Sequence, residues 1–391
     1  MQVLSPRRNR RIKPPGGRRM RPQFPRSAEF PLAQRNDFRY TLGNRAATVP
    51  RPTIKGLRAK APGIFLFGRV RKRKSMKKSS PRSILLLLLT ALVWGFGFVA
   101  QDMATGSVRA FTFNGTRMAL AAAVVFLFCL YRDRKGKGDP ETGDGVPFQQ
   151  MTAAQKKTLL LGGTFCGLAL AAASALQQIG IEQGTSAGKA GFITAMYILF
   201  VPLGELLIFR KRLRWLLVPA VLLSVTGLYL LCMKPGAALT LEGGDATLLL
   251  CAVGFTAHIL IIDRVSPRTD GVKLSCVQFA VAAVVSLAVA LIAEKPSLAE
   301  ISGCWAPIVY AGVMSGGIGY TLQIVGQKDT DPTVASLILC LESVFAVLGG
   351  WLILGDKMTA REYAGCGMML IGILLAQWPE KKSSASESIQ S

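Results

Sequence analysis

The chain has 391 residues, half of them hydrophobic and only 18% charged. That balance excludes an ordinary soluble enzyme domain and fits a polytopic membrane protein. The net charge of +25 is not a property of the fold: residues 1–75 carry 21 Lys+Arg against two acids (Glu29, Asp37), and the other 316 carry 26 against 20.

The first element in chain order is therefore the tail, residues 1–75, rich in Arg and Pro and without sustained periodicity. Such a stretch buries too little apolar surface to offset its ordering entropy, so disorder is expected. "MKKSSPRSILLLLLTALVWG" from Met76 reads as the natural start of a membrane protein, which would make 1–75 translated upstream sequence. The alternative is a polybasic arm for anionic lipid or RNA.

A membrane-crossing helix needs about 20 mostly apolar residues. Ten stretches qualify: Ser83–Ala100, Phe111–Leu130, Thr158–Gly180, Ala190–Phe209, Leu213–Met233, Ala246–Ile262, Val272–Ala293, Trp305–Val325, Thr333–Leu354 and Glu362–Trp378. Their continuous apolar character lacks the alternation of a barrel strand, so helices are expected. Loops after even-numbered spans hold 15 Lys+Arg and loops after odd-numbered spans six, which places both termini in the cytoplasm. The polar segment 379–391 is a cytoplasmic tail. All eight cysteines lie in or beside apolar runs, with no CxxC and no Cys/His ligand spacing. They read as packing residues; no zinc module, disulfide framework, metal or cofactor is expected.

The two halves repeat. "LLLTALVWGFGFVAQD" (Leu87–Asp102) lies over "LLLCAVGFTAHILIID" (Leu248–Asp263) at an offset of 161, which also carries Arg117 onto Gln278. "LQQIG" (Leu176–Gly180) lies over "LQIVG" (Leu322–Gly326) at 146, the difference falling in the longer loop Tyr131–Lys157. Five spans is an odd number, so the second copy enters the membrane from the opposite face. The expected fold is all-α: ten transmembrane helices in two inverted five-helix repeats, 83–234 and 245–378. Such repeats characterise secondary transporters, with the solute site near midplane between them.

Four motifs resemble EamA-type members of the drug/metabolite transporter superfamily: "WGFGF" (Trp94–Phe98), "FTFNGTR" (Phe111–Arg117), "AGFITAMYILFVPL" (Ala190–Leu203) and "LESVFAVLGGWLILGDKMT" (Leu341–Thr359). The resemblance covers about residues 82–378. It implies ten helices around a central cavity, moving small metabolites and often exporting them.

The polar residues within the spans are the candidate site. Glu342 is expected about nine residues into a helix from Thr333, ~14 Å deep at ~1.5 Å per residue. An ionised carboxylate there costs at least ~2.5–3.5 kcal/mol, so it should face the bundle interior. It could couple protons, bind a substrate amine, hold a structural hydrogen bond or merely line the cavity. Arg117 needs an anionic partner, a carbonyl cluster or a snorkelling route. Binding a substrate carboxylate is the sharp reading; fixing helix ends through backbone carbonyls is the bland one. Its mate Gln278 lies equally deep from the other face. Trp94, Phe98, Tyr197 and Tyr320 are candidates to line the cavity, with packing as the alternative. Gln177 and Gln323 are secondary candidates that read rather as a helix-to-helix hydrogen bond. His258 reads rather as a packing histidine than as a proton relay. Glu205 is expected to pair with Arg210 and Arg212 at the interface. Gly163-x-x-x-Gly167 and Gly312-x-x-x-Gly316 should let helices approach closely.

The reading is a secondary transporter of the plasma (inner) membrane, not an enzyme, exporting amino acids or related solutes by alternating access. The alternatives are an uncoupled facilitator or importer of the same fold, and a membrane-tethered regulatory or nucleic-acid-binding protein acting through the tail. The expected partners are a small solute and the lipid bilayer, with protons and a second copy of the chain as candidates. No specific nucleic acid is expected.

Overall fold

The computed structural model describes residues 79–136, 138–139, 143–185, 187–211, 213–233, 243–349 and 358–378. These belong to one compact unit within Val70–Ser391. The tails 1–75 and 379–391, Met76, Arg212 and the side chain of Phe98 lie outside the described set.

The described residues form helices and no strand. In chain order these are α1 (Pro81–Ala104), α2 (Ala110–Lys135), α3 (Ala153–Glu182), α4 (Ala187–Thr194), α5 (Tyr197–Leu207), α6 (Leu217–Cys232) and α7 (Asp245–Val265). Then come α8 (Gly271–Val289), α9 (Leu298–Gly303), α10 (Trp305–Val309), α11 (Thr321–Gln327), α12 (Pro332–Leu339), α13 (Glu342–Gly349) and α14 (Ala360–Gln377). Helix occupies part of every stretch expected to span. Six helical stretches are long and apolar enough to cross a membrane by length and composition, and shorter apolar helices accompany them. Several helices start where a side chain can satisfy orphan N–H groups. Thr152 with Gln155 and Thr359 with Glu362 form capping boxes, and Asp270 and Asp331 cap α8 and α12.

Four expected spans are not continuous α-helix; the seventh passes from α8 into π-helix at Ala290–Glu294. The fourth breaks at Ala195 and Met196, between α4 and α5, and the ninth breaks at Cys340 and Leu341, between α12 and α13. Neither break carries Gly or Pro, so the apolar pattern runs through unmarked. Three-residue turns take up the backbone groups there: Met196 N donates to Ile193 O (3.1 Å), Ile198 N to Ala195 O (3.0 Å) and Leu341 N to Ile338 O (3.1 Å). In the eighth, Tyr310–Tyr320 is wound as π-helix between α10 and α11. The widened turn turns carbonyls outward, and α1 supplies donors: Trp94 Nε1 to Ser315 O at 3.1 Å and Thr90 Oγ1 to Gly319 O at 3.2 Å.

Helix α2 packs on α8, α6 on α14, α3 on α7 and α8, and α1 on the π-helix, α11 and α13. Lys273 at the start of α8 pairs with Asp133 near the end of α2. At the other end Glu294, just past α8, accepts from Phe111 N (2.9 Å) and from Thr112 N and Oγ1 (both 2.7 Å) at the start of α2. The two helices are therefore antiparallel, with an acid clasping each end. Close approach uses glycine. A Cβ on Gly167 would sit 2.6 Å from Gln278 O, and one on Gly312 2.9 Å from Arg117 O. The cysteines sit buried or half-buried as free thiols within this packing.

Candidate functional site

A pocket, partly open to solvent, lies within the bundle. Trp94, Gln101 and Arg117 reach it from α1 and α2, Gln177 from α3, and Thr194 and Tyr197 from the two sides of the α4/α5 break. Phe255 and Ile259 of α7, Ser315 and Tyr320 of the π-helix, Gln323, Leu339 and Glu342 complete it.

Glu342 opens α13, so the break rather than the middle of a long helix delivers its carboxylate. The N-terminal end of a helix favours a negative group. The residue is 6% exposed, and Tyr197, which opens α5 after the other break, donates its hydroxyl to Glu342 Oε1 at 3.4 Å. Both broken helices thus bring their first new turn to the same place.

Arg117 is buried, and its Nε and Nη2 donate to Asn114 Oδ1 at 3.2 and 3.1 Å. The guanidinium carbon lies 5.1 Å from the Phe113 ring centroid. Asn114 Nδ2 donates in turn to Ser286 Oγ of α8 at 2.9 Å. The expected anchoring of Arg117 on helix-end carbonyls is not what holds it; a side-chain amide one turn earlier does. Trp94 and Tyr320 pack tilted with centroids 4.5 Å apart.

Two candidates stand behind the lining. His258 Nε2 and Gln278 Oε1 are 3.0 Å apart and both residues are fully buried. The His258 ring meets Tyr320 edge-on at 5.8 Å. Arg117 faces the cavity while its mate Gln278 does not. The expected helix-to-helix bond of Gln177 and Gln323 is absent among the described residues: both line the cavity, and Gln323 Oε1 is buried without a partner. Glu205 also differs from expectation. It is 2% exposed and accepts from Lys211 Nζ at 2.6 Å and Thr333 Oγ1 at 2.7 Å. Arg210 is not its partner; sequence proximity suggested the wrong cation, because the chain turns Lys211 inward. Lys211 also pairs with Asp331. Burial opposes its charge, but Asp331 and Glu205 outweigh that and raise its pKa above 10.5. Among the described residues no His/Cys/Asp/Glu cluster could hold a metal ion.

Gln101, Thr194, Phe255, Ile259, Ser315 and Leu339 were not singled out from sequence. Of these only Ser315, inside a glycine-rich stretch, carried a signal; Asn114, which tethers Arg117 from three residues earlier, was missed as well.

Helices long and apolar enough for a bilayer, wrapped around a pocket lined by aromatic, amide and charged side chains, define a multi-pass membrane protein of transporter type. The chain belongs to the EamA-like transporter family, whose model matches residues 81–233 and 243–378. An uncharacterized transporter of Archaeoglobus fulgidus is 27% identical over 289 residues, 74% of this chain and 83% of that protein. One from Synechocystis is 22% identical over 328 residues, covering 79% and 93%. A crystal structure of a protein 17% identical in sequence shares the fold with a TM-score of 0.60, over 79% of this chain and 99% of the other.

Proposed function

We propose that the chain is a secondary transporter that exports amino acids or related small solutes across the plasma membrane. It works by alternating access between two inverted five-helix halves, 83–234 and 245–378, with both termini cytoplasmic. The observation that carries this reading is the cavity, to which the first half contributes Trp94, Arg117 and Tyr197 and the second Tyr320 and Glu342. The packing supports the two-fold relation: α2 on α8 and α6 on α14 each pair a helix with its repeat mate. The two acid clasps do the same, since Asp133 and Glu294 are 161 residues apart, the offset of the repeat. Glu342 is the proposed coupling group, since no nucleotide-binding unit is legible in the sequence.

The test is flux of labelled amino acids into liposomes holding the purified full chain, with and without a pH gradient. Saturable exchange, accelerated by the gradient, is expected. Absence of exchange for the amino acids and for related amines and acids would refute the reading. Uncoupled facilitation is the second reading, favoured by the Tyr197–Glu342 hydrogen bond, which a purely structural carboxyl would also make. It predicts exchange indifferent to the gradient.

A further inference from the structure

We propose that Arg117 is the specificity determinant of the cavity, selecting solutes that carry a carboxylate, and that Asn114, anchored by Ser286, is its positioning residue. This rests on the reading of the cavity as the solute site.

A guanidinium has five N–H donors and cannot be neutralised in a protein. Asn114 Oδ1 takes two of them, one from Nε and one from Nη2. The other three have no acceptor among the described residues, and no carboxylate there pairs with Arg117. A buried cation held only by a neutral amide and an aromatic face is an incomplete arrangement, because removing charge from water is costly unless an opposite charge answers it. What completes it enters with the solute. The bonds to Asn114 fall on the Nε side of the group, so the end formed by Nη1 and Nη2 remains free. Two parallel N–H groups there match the two oxygens of a carboxylate. The group is also held still. Asn114 is fixed from behind by Ser286 at 2.9 Å, and the guanidinium carbon lies over the ring of fully buried Phe113, 5.1 Å from its centroid. A pre-organised fork loses little freedom on binding, so its preference for a fitting anion is undiluted. Trp94 and Tyr320 offer apolar surface to the rest of the solute.

The experiment measures binding to the full chain in lipid nanodiscs with matched probes: acetate and 3-phenylpropionate, their two amides, and 3-phenylpropylamine. The acids should bind at least ~10-fold more tightly than their amides, the value of a charge-assisted pair. Arg117→Gln should bring acid and amide together. Asn114→Asp, nearly isosteric, should do the same by supplying the anion internally, and it keeps the test open if the Gln variant misfolds. Asn114→Ala should weaken the acids while retaining their preference over the amides, which a merely structural role would not produce. Equal or tighter binding of amide or amine by the wild type overturns the inference and leaves the cavity a solute site. Retention of acid preference in Arg117→Gln overturns it too. Binding of none of the probes by well-folded protein removes both the inference and the cavity reading.

Discussion

Replacing Gly95 by Ala adds a single methyl group where α1 crosses the start of α13. That Cβ would lie 2.7 Å from Glu342 O, 2.8 Å from Phe345 Cβ and 2.9 Å from Ala346 N. Two of the three are backbone atoms, so no flexible side chain can swing away and the helices must part by several tenths of an ångström. Overpacking of this kind costs ~1–3 kcal/mol, against a gain of up to ~1 kcal/mol because alanine is the better helix former. Gly367→Ala in α14 is the control, since a Cβ there meets nothing within 4 Å and only the helix gain operates. Thermal melts in detergent should therefore rank Gly367→Ala at or above wild type and Gly95→Ala below both. The displaced atoms belong to the turn that presents Glu342, so liposome flux per folded molecule should fall as well. A Gly95→Ala protein that melts with the control and transports like wild type would refute the close-packing argument.

Glu342→Gln should leave melting and membrane level nearly intact while abolishing acceleration by a pH gradient; a stable variant that keeps full acceleration rules out coupling through this residue. Asp270→Asn should destabilise the end of the bundle where α8 begins. Burial opposes the Asp270 charge, but the N–H groups of Lys273 and Gly145, with Arg132 and Lys273 as cations, outweigh it and hold its pKa below 3.8. A depressed carboxylate contributes above its unfolded pKa and loses that contribution as pH falls through the folded value. The difference from wild type, ~1–3 kcal/mol, should be flat from pH 7 to 5 and close below 3.8. A gap that persists undiminished at pH 3 contradicts this. An alkaline phosphatase reporter fused after Ser391 should be inactive in a bacterial host if the C-terminus is cytoplasmic; periplasmic activity would invert the proposed topology.

Hydropathy made the helices legible because each apolar run must satisfy its own backbone, and no tertiary information is needed for that. The breaks at Ala195–Met196 and Cys340–Leu341 were invisible for the same reason: residues there are as apolar as their neighbours, and the interruption is set by packing between helices. Glu342 could be singled out as a lone carboxylate, yet its depth argument assumed one straight helix, whereas the structure makes it the opening residue of a new one. Arg117 was legible as a buried cation. Its tether was not, since Asn114 and Ser286 are 172 positions apart and small polar residues are common in spans. Gln177 and Gln323, repeat mates near span ends, were read as making a helix-to-helix hydrogen bond. They line the cavity instead, so polar groups the helices leave unpaired are available there.

The paired breaks bear directly on how the cavity would change sides. Below the break in the ninth stretch, α12 is tied to the end of α5: Thr333 donates to Glu205, and Lys211 bridges Glu205 and Asp331. At the break itself the contacts are two long hydrogen bonds, Tyr197 Oη to Glu342 Oε1 at 3.4 Å and Cys340 Sγ to Ala195 O at 3.8 Å. A charge triad thus ties α12 to the end of α5, whereas the two breaks meet beside the cavity through weak polar contacts. If the proposed alternating access opens this end of the bundle, the triad has to part in one state. Lys211→Met removes the shared cation and leaves Glu205 and Asp331 facing each other. With the Lys211 side chain 26% exposed, the loss is ~1–3 kcal/mol rather than the full cost of a buried pair. If parting the triad limits exchange, solute counterflow per folded molecule should quicken by a few-fold even as the melting temperature drops. If the triad only holds the fold together, counterflow should fall in step with protein level, and a variant that behaves so would show that the cavity opens elsewhere.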